Sequence, residues 1–320
     1  MTSGDGYAKL SGGEKFAVTA RVVPPAYSEW DSFEKQLAQI KGARWVFVAD
    51  DTGGAPHVSP TLAAVKMKQS GLEPVPEIGL RDRNRIALRG DAMGLALAGV
   101  KAVWCSTGVH QALGAAAGAR NVYDLDLPQL VAMLKGRDGA GGAPGVSEEE
   151  GAGGTAQSGE AAAGAGAAGG SQGNGTGVDL VVGAQINPSG GPIGLRMVQL
   201  AKLVHAGTDF FVTSPIADVT DFTEWLDAAA AEGLLNEPAV LVSLAAPDTG
   251  EDFERLERTL PGVAFGEEWA EAARKGPDGV FALVDPLAKK VKGLKGVAGI
   301  SVWVGSTGEA AGKVIEALVR

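Results

Sequence analysis

Two kinds of hydrophobic patterning alternate along this chain. Short, nearly continuous apolar runs occupy 16–22, 43–49, 73–79, 102–106, 179–184, 209–213, 239–244 and 299–304. Such runs, with no polar face, are the pattern of parallel strands covered on both sides. Between them lie longer segments whose apolar residues recur at helical spacing. Segment 29–40 places Phe33, Leu37 and Ile40 on one face, and 84–97 carries Ile86, Leu88, Met93 and Leu97. Segment 194–205 carries Leu195, Val198 and Leu203, and 221–231 carries Phe222, Trp225 and Leu226. Ser59 followed by Pro60 reads as the N-cap and first position of a helix over 59–69. Further helices are predicted over 125–134, 248–258, 266–274 and 308–318, with a helix or loop at 286–292. Eight strand–helix units predict an α/β chain folded as a (βα)8 TIM barrel. A doubly wound open sheet is the alternative. Against it, the first strand runs into Val23-Pro24-Pro25 rather than a GxGxxG turn.

One stretch fits neither pattern. Residues 136–177 hold 16 of the 48 glycines, and 26 of these 42 positions are Gly or Ala. Without aromatic residues such a segment cannot offset the entropy of ordering its backbone, so a mobile, low-complexity insertion is expected between strands four and five. The expected layout is a loose tail over 1–14 and a barrel over 15–320, with 136–177 inserted in it. The net charge of −10, with 38 acidic and 28 basic residues, disfavours nucleic acid as a partner. A single cysteine excludes an internal disulfide framework and Cys-rich metal sites. Three scattered histidines make no metal constellation, so no metal is expected. No apolar run reaches the 18 residues of a membrane span and the first residues lack a signal-peptide core, so a cytoplasmic protein is expected.

In a barrel of this type the active site lies where the strands end at their C-termini. Those ends carry Arg21, then Asp50 and Asp51, then Glu77 and the run Arg81-Asp82-Arg83-Asn84-Arg85. They continue with Cys105, Ser106, Thr107, Gly108 and His110, with Gln185, Asn187 and Pro188, and with Thr213, Ser214 and Asp218. Asp50 and Asp51 repel one another, so one of them is a candidate proton donor or ligand contact, or both cap the turn at Thr52-Gly53-Gly54. The three arginines either grip a planar acid or phosphate or brace one another through Asp82. Cys105 reads as a small core residue rather than a nucleophile, and His205, just before Ala206-Gly207, as part of a helix end. Gly305-Ser306-Thr307-Gly308 offers backbone donors to an anion, without the lysine of a P-loop.

The order of these motifs resembles the methylenetetrahydrofolate reductase family over about residues 16–230. The likeness rests on Thr19-Ala20-Arg21-Val22-Val23-Pro24-Pro25, Ser59-Pro60, Arg81-Asp82-Arg83-Asn84-Arg85-Ile86-Ala87-Leu88, Thr107-Gly108, Tyr123-Asp124-Leu125-Asp126, Asn187-Pro188 and Ala206-Gly207-Thr208-Asp209-Phe210-Phe211. The resemblance implies a (βα)8 barrel, a reduced folate as substrate and FAD at the C-terminal face. It also implies departures. The family's catalytic glutamate at the end of the first strand is Arg21 here, its aspartate after Thr-Gly is Val109, and its folate-binding glutamine after the sixth strand matches Ser214. Arginine cannot serve as a general acid near neutrality.

From residues and resemblance together, Asp50, Asp51 and Glu77 are expected as catalytic groups. Arg21, Arg81, Gln185 and Ser214 are expected to bind folate, and Asp82, Arg83, Thr107, His110 and Tyr123 to bind the cofactor. Three readings stay open. One is a divergent folate protein that moves a methyl or methylene group, with a corrinoid protein as partner. Another is an FAD-dependent reductase with displaced catalytic groups. The third is a non-catalytic subunit of a methyl-transfer or reductase complex. Self-association into a homo-oligomer is compatible with each.

Overall fold

The computed structural model describes residues 7–8, 13, 16–50, 56–110, 112, 116, 118–137, 178–189, 191–260 and 262–320. Eight parallel strands close into a barrel in sequence order. They are β1 (Ala17–Val22), β2 (Val46–Val48), β3 (Pro74–Gly79), β4 (Ala102–Ser106), β5 (Val181–Ile186), β6 (Phe210–Thr213), β7 (Ala239–Ala246) and β8 (Gly299–Val304). Closure comes from β8 pairing with β1, Ala17 opposite Gly299 and Arg21 opposite Trp303. The helices are α1 (Trp30–Gln39), α2 (Pro60–Gln69), α3 (Arg85–Leu97), α4 (Leu127–Leu134), α5 (Ile193–Ala206), α6 (Thr220–Ala231), α7 (Gly250–Thr259), α8 (Glu267–Arg274), α9 (Pro277–Lys292) and α10 (Glu309–Val319). Chain between α4 and β5 contains the Gly/Ala-rich insertion, of which 138–177 lie outside the described residues.

Strand alternation sorts the apolar residues into two cores. Val18, Ala20, Val22, Val46, Val48, Val103 and Cys105 face outward against the helices. Ala17, Phe47, Val75, Trp104, Phe210, Val212 and Leu241 fill the barrel interior. Tyr7, from the stretch expected to be tail, packs beneath that interior against Trp45 and Phe210, and its hydroxyl donates to the Ala298 carbonyl at 3.3 Å. The interior is tight enough to require glycine at one point. A Cβ on Gly183 would lie 2.2 Å from Phe210 Cε2. Gly183→Ala is therefore expected to cost about 3 kcal/mol by forcing Phe210 off its rotamer, a loss that chemical denaturation measures directly.

Local signals place the helix ends. The Ser59 hydroxyl accepts from Leu62 N–H, the Asn84 side chain from Ile86 and Ala87 N–H, and Asp126 forms a capping box with Gln129. Gly207 ends α5 in the left-handed region at φ 96°.

Two helices bury only part of the expected set, Leu88 in α3 and Leu203 in α5. In α3 the buried residues are Leu88, Ala92 and Leu95, while Ile86, Met93 and Leu97 are exposed. In α5 Met197, Leu200 and Leu203 are buried and Leu195 and Val198 stand out. Both sequences carry two overlapping apolar stripes, and contact with the sheet selects one. The segment expected as a helix or loop at 286–292 is the second half of α9. Pro286 reads as a breaker, but Val280, Val284, Leu287, Ala288 and Val291 bury a continuous stripe across it. That burial outweighs the roughly 3 kcal/mol cost of proline within a helix.

Candidate functional site

Continuing the inward alternation past the apolar interior brings polar side chains to the C-terminal end of the barrel. β1 delivers Arg21, β3 Glu77, β4 Ser106, β5 Gln185 and β8 Trp303. With Thr107, Val109, His110, Asn187 and Ser214 these residues line a cavity of about 370 Å³. A second cavity of about 520 Å³ shares Thr259 and Trp303 with it and runs over Pro24, Pro25, Phe33, His57 and Pro247. A larger cleft of about 790 Å³ lies on the outer helical layer against α10, away from every barrel-interior side chain named above.

Arg21 and Glu77 form the deepest polar contact of the mouth. Each is 4% exposed, and Arg21 Nη2 lies 3.7 Å from Glu77 Oε2. The guanidinium carbon sits 4.4 Å from the Trp104 ring centroid and 3.8 Å from that of Trp303, in cation–π contact with both. Arg21 Nε and Nη1 are buried and have no acceptor among the described residues. Glu77 Oε2 accepts from the Asp50 N–H at 2.9 Å, and the Ser106 side chain hydrogen-bonds the same carboxyl. Burial pushes Glu77 up to about 7, against the opposing pull of the Arg21 charge, and the Asp50 carboxylate adds to the rise. Burial also pulls Arg21 down to about 10, which leaves it cationic near neutrality. Cys105 points away from this site into the outer core, and burial raises its thiol pKa.

The other expected site residues are engaged differently. Asp51 lies outside the described residues. The Asp50 carboxylate is ion-paired to Arg83, whose Nε also reaches Asp91 at 3.2 Å. Arg81 is bidentate on its neighbour Asp82, at 2.8 and 2.6 Å, and donates to the Val109 carbonyl at 2.7 Å. Arg85 is bidentate on Asp124, whose carboxyl these hydrogen bonds hold down at about 2. The arginine run therefore braces the mouth. It also ties together the two most specific sequence motifs, since the Val122 N–H donates to the Arg81 carbonyl while Arg85 holds Asp124. Tyr123, between those anchors, has φ 40° and is 40% exposed. Thr107 and His110 line the smaller cavity.

The Gly305–Gly308 loop does seat an anion, but it is one of the protein's own. Asp248 Oδ2 accepts from the Thr307 and Gly308 amides and Oδ1 from Ala310, all at 2.8 Å. Beside it Asp252 Oδ2 accepts from the amide and the hydroxyl of Ser306 and from the Asp248 amide. The expected backbone donors are thus consumed within the fold. Among the described residues no group of three or more His, Cys, Asp or Glu is placed to hold a metal, and no helix is long and apolar enough to cross a membrane.

Trp303 and Trp104 were invisible as site residues in the sequence. Inside near-continuous apolar runs they look like ordinary core. The available signal was their parity with Arg21, Glu77 and Ser106 on the inward face.

No protein-family profile matches the chain, and no curated protein matches it. Solved structures do. An uncharacterised protein from Clostridium thermocellum that binds two copies of 5-methyl-5,6,7,8-tetrahydrofolic acid superposes with a TM-score of 0.59 at 13% identity, over 97% of each chain. Tryptophan synthase from M. tuberculosis superposes at a TM-score of 0.49 and 12% identity, over 99% of this chain and 98% of that one. At such identities the first likeness establishes the TIM-barrel fold, and the second adds no argument.

Proposed function

We propose that this barrel binds a reduced folate in the cavity at its C-terminal end and serves folate-dependent one-carbon metabolism, handling a methyl or methylene group. The observation that carries the reading is the cavity itself. Its volume, about 370 Å³, is in the range of small-molecule sites, and it combines one indole wall with a few convergent polar groups. Arg21, Glu77, Gln185, Asn187 and Ser214 match a flat heterocycle with donors and acceptors along its edge. The sequence resemblance and the tetrahydrofolate ligand of the Clostridium thermocellum protein point to the same ligand class, at the level of fold analogy.

The arginine run and the glycine loop give no support for FAD. A dinucleotide needs free cations or backbone amides for its pyrophosphate. Here Arg81, Arg83 and Arg85 are each committed to a carboxylate, and the amides of 307, 308 and 310 hold Asp248. The proposal includes no flavin step. Arg21 holds its proton near neutrality and Val109 carries no polar side chain, so neither replaces the reductase groups they stand for.

Calorimetric titration of the full chain with tetrahydrofolate and with 5-methyltetrahydrofolate tests the reading. Saturable binding with a Kd of about 1–100 μM is expected, with Gln185→Ala and Ser214→Ala each weakening it by about 1 kcal/mol. Absence of saturable binding up to millimolar ligand would refute it.

A further inference from the structure

The Arg21–Glu77 pair presents a donor and an acceptor side by side on one wall of the cavity. Arg21 keeps two buried nitrogens, Nε and Nη1, without an acceptor among the described residues, although it is almost wholly enclosed. Buried donors in native proteins are nearly always matched, so unmatched nitrogens on a residue that lines a cavity point to a ligand acceptor there. A free carboxylate or phosphate would satisfy Arg21 but would bring a second negative charge against Glu77, whose oxygen lies 3.7 Å from the guanidinium. A neutral edge with an acceptor next to a donor suits both residues.

We infer that Arg21 and Glu77 together read a cyclic-amide edge of the ligand, Arg21 donating to a ring carbonyl oxygen and Glu77 accepting from the adjacent ring N–H. The inference rests on the folate reading. In a pterin ring the edge is the C4 carbonyl with N3–H, and the 2-amino group is a further donor beside it. Arg21 and Glu77 are then binding residues, which accounts for an arginine where the resembling family places a proton donor. No bond is made or broken by the pair. Glu77 must be ionised to accept, and the groups facing it are Arg21 from β1, the Asp50 amide and carboxylate after β2, and Ser106 from β4.

The decisive comparison is tetrahydrofolate against its 4-amino analogue, which replaces the carbonyl acceptor by a donor and removes the N3 proton. Calorimetry on the full chain at pH 8 is expected to show the 4-oxo ligand preferred by about 30-fold or more. Arg21→Met should reduce that preference to within about 3-fold. A second readout uses wild type and the 4-oxo ligand alone, whose affinity should fall by up to about tenfold per pH unit below pH 7, as Glu77 takes up a proton. Equal binding of the two ligands by wild type, or a preference that survives in folded Arg21→Met, overturns the inference while leaving folate binding intact. A pH-independent affinity overturns it too. If neither ligand binds, the failure lies with the folate reading itself. Should Arg21→Met not fold, the two wild-type measurements decide.

Discussion

Asp248→Ala is expected to lower the unfolding free energy by about 3–5 kcal/mol. Asp248 is 2% exposed, and its carboxylate receives the amides of Thr307, Gly308 and Ala310 at the start of α10. Truncation leaves three N–H groups facing a void, each costing about 1–3 kcal/mol when buried without a partner, with water recovering part of the loss. Gly305 has no room for the chain to rearrange, because a Cβ there would lie 2.5 Å from the Asp248 nitrogen. The effect also reaches the mouth. Gly305 and Ser306 line the cavity of about 520 Å³ and follow closely on Trp303, the wall it shares with the cavity of about 370 Å³. Urea denaturation monitored by tryptophan fluorescence measures the loss, and a cost below about 1 kcal/mol would show that the loop holds itself without Asp248.

Arg21→Glu should destabilise the protein by about 4 kcal/mol at pH 8 and far less at pH 5. The substitution removes the cation facing Glu77 and puts a second carboxyl in its place, with both groups buried. Breaking a buried pair costs about 3–5 kcal/mol through the charge left uncompensated. The sign follows from linkage. A carboxyl whose folded pKa is raised holds more protons in the folded state than in the unfolded one, so stability falls as pH rises between the two values. For Glu77 in wild type that window runs from 4.5 to about 7. In the variant the loss of Arg21 extends the upper limit upward. Denaturation midpoints at pH 5 and pH 8 for both proteins test this, and a variant equally stable at both values would mean that the mouth is wetter than its burial indicates.

The barrel was legible in the sequence because parallel strands covered on both faces leave runs of apolar residues, and eight such runs recur with helices between them. Ser59 and Asn84 marked helix starts because capping is local chemistry. The phase of α3 and α5 was legible only in part, at Leu88 and Leu203. Ile86, Met93 and Leu97 make as good a stripe as Leu88, Ala92 and Leu95, and only the sheet beneath decides between them. Of α9 only 286–292 was marked, as a helix or loop, because the burial that carries the helix across Pro286 is contributed from elsewhere in the fold.

The candidate site divides in the same way. Arg21, Glu77, Gln185 and Ser214 could be placed at the strand ends by counting, since strand parity and chain direction are properties of the sequence. What each side chain does there depends on partners far away along the chain. Arg83 and Asp50 are 33 residues apart, and Asp248 meets Gly308 across 60. Such pairings spend the arginine run and the glycine loop on internal carboxylates and leave Arg21 as the buried cation of the mouth with unmatched donors. The sequence by itself determined the strands, their order and the polar residues at their ends. Only the tertiary structure decided which of those residues face a ligand and which face each other, because hydrogen bonds and ion pairs act over a few ångströms in space whatever their separation in sequence.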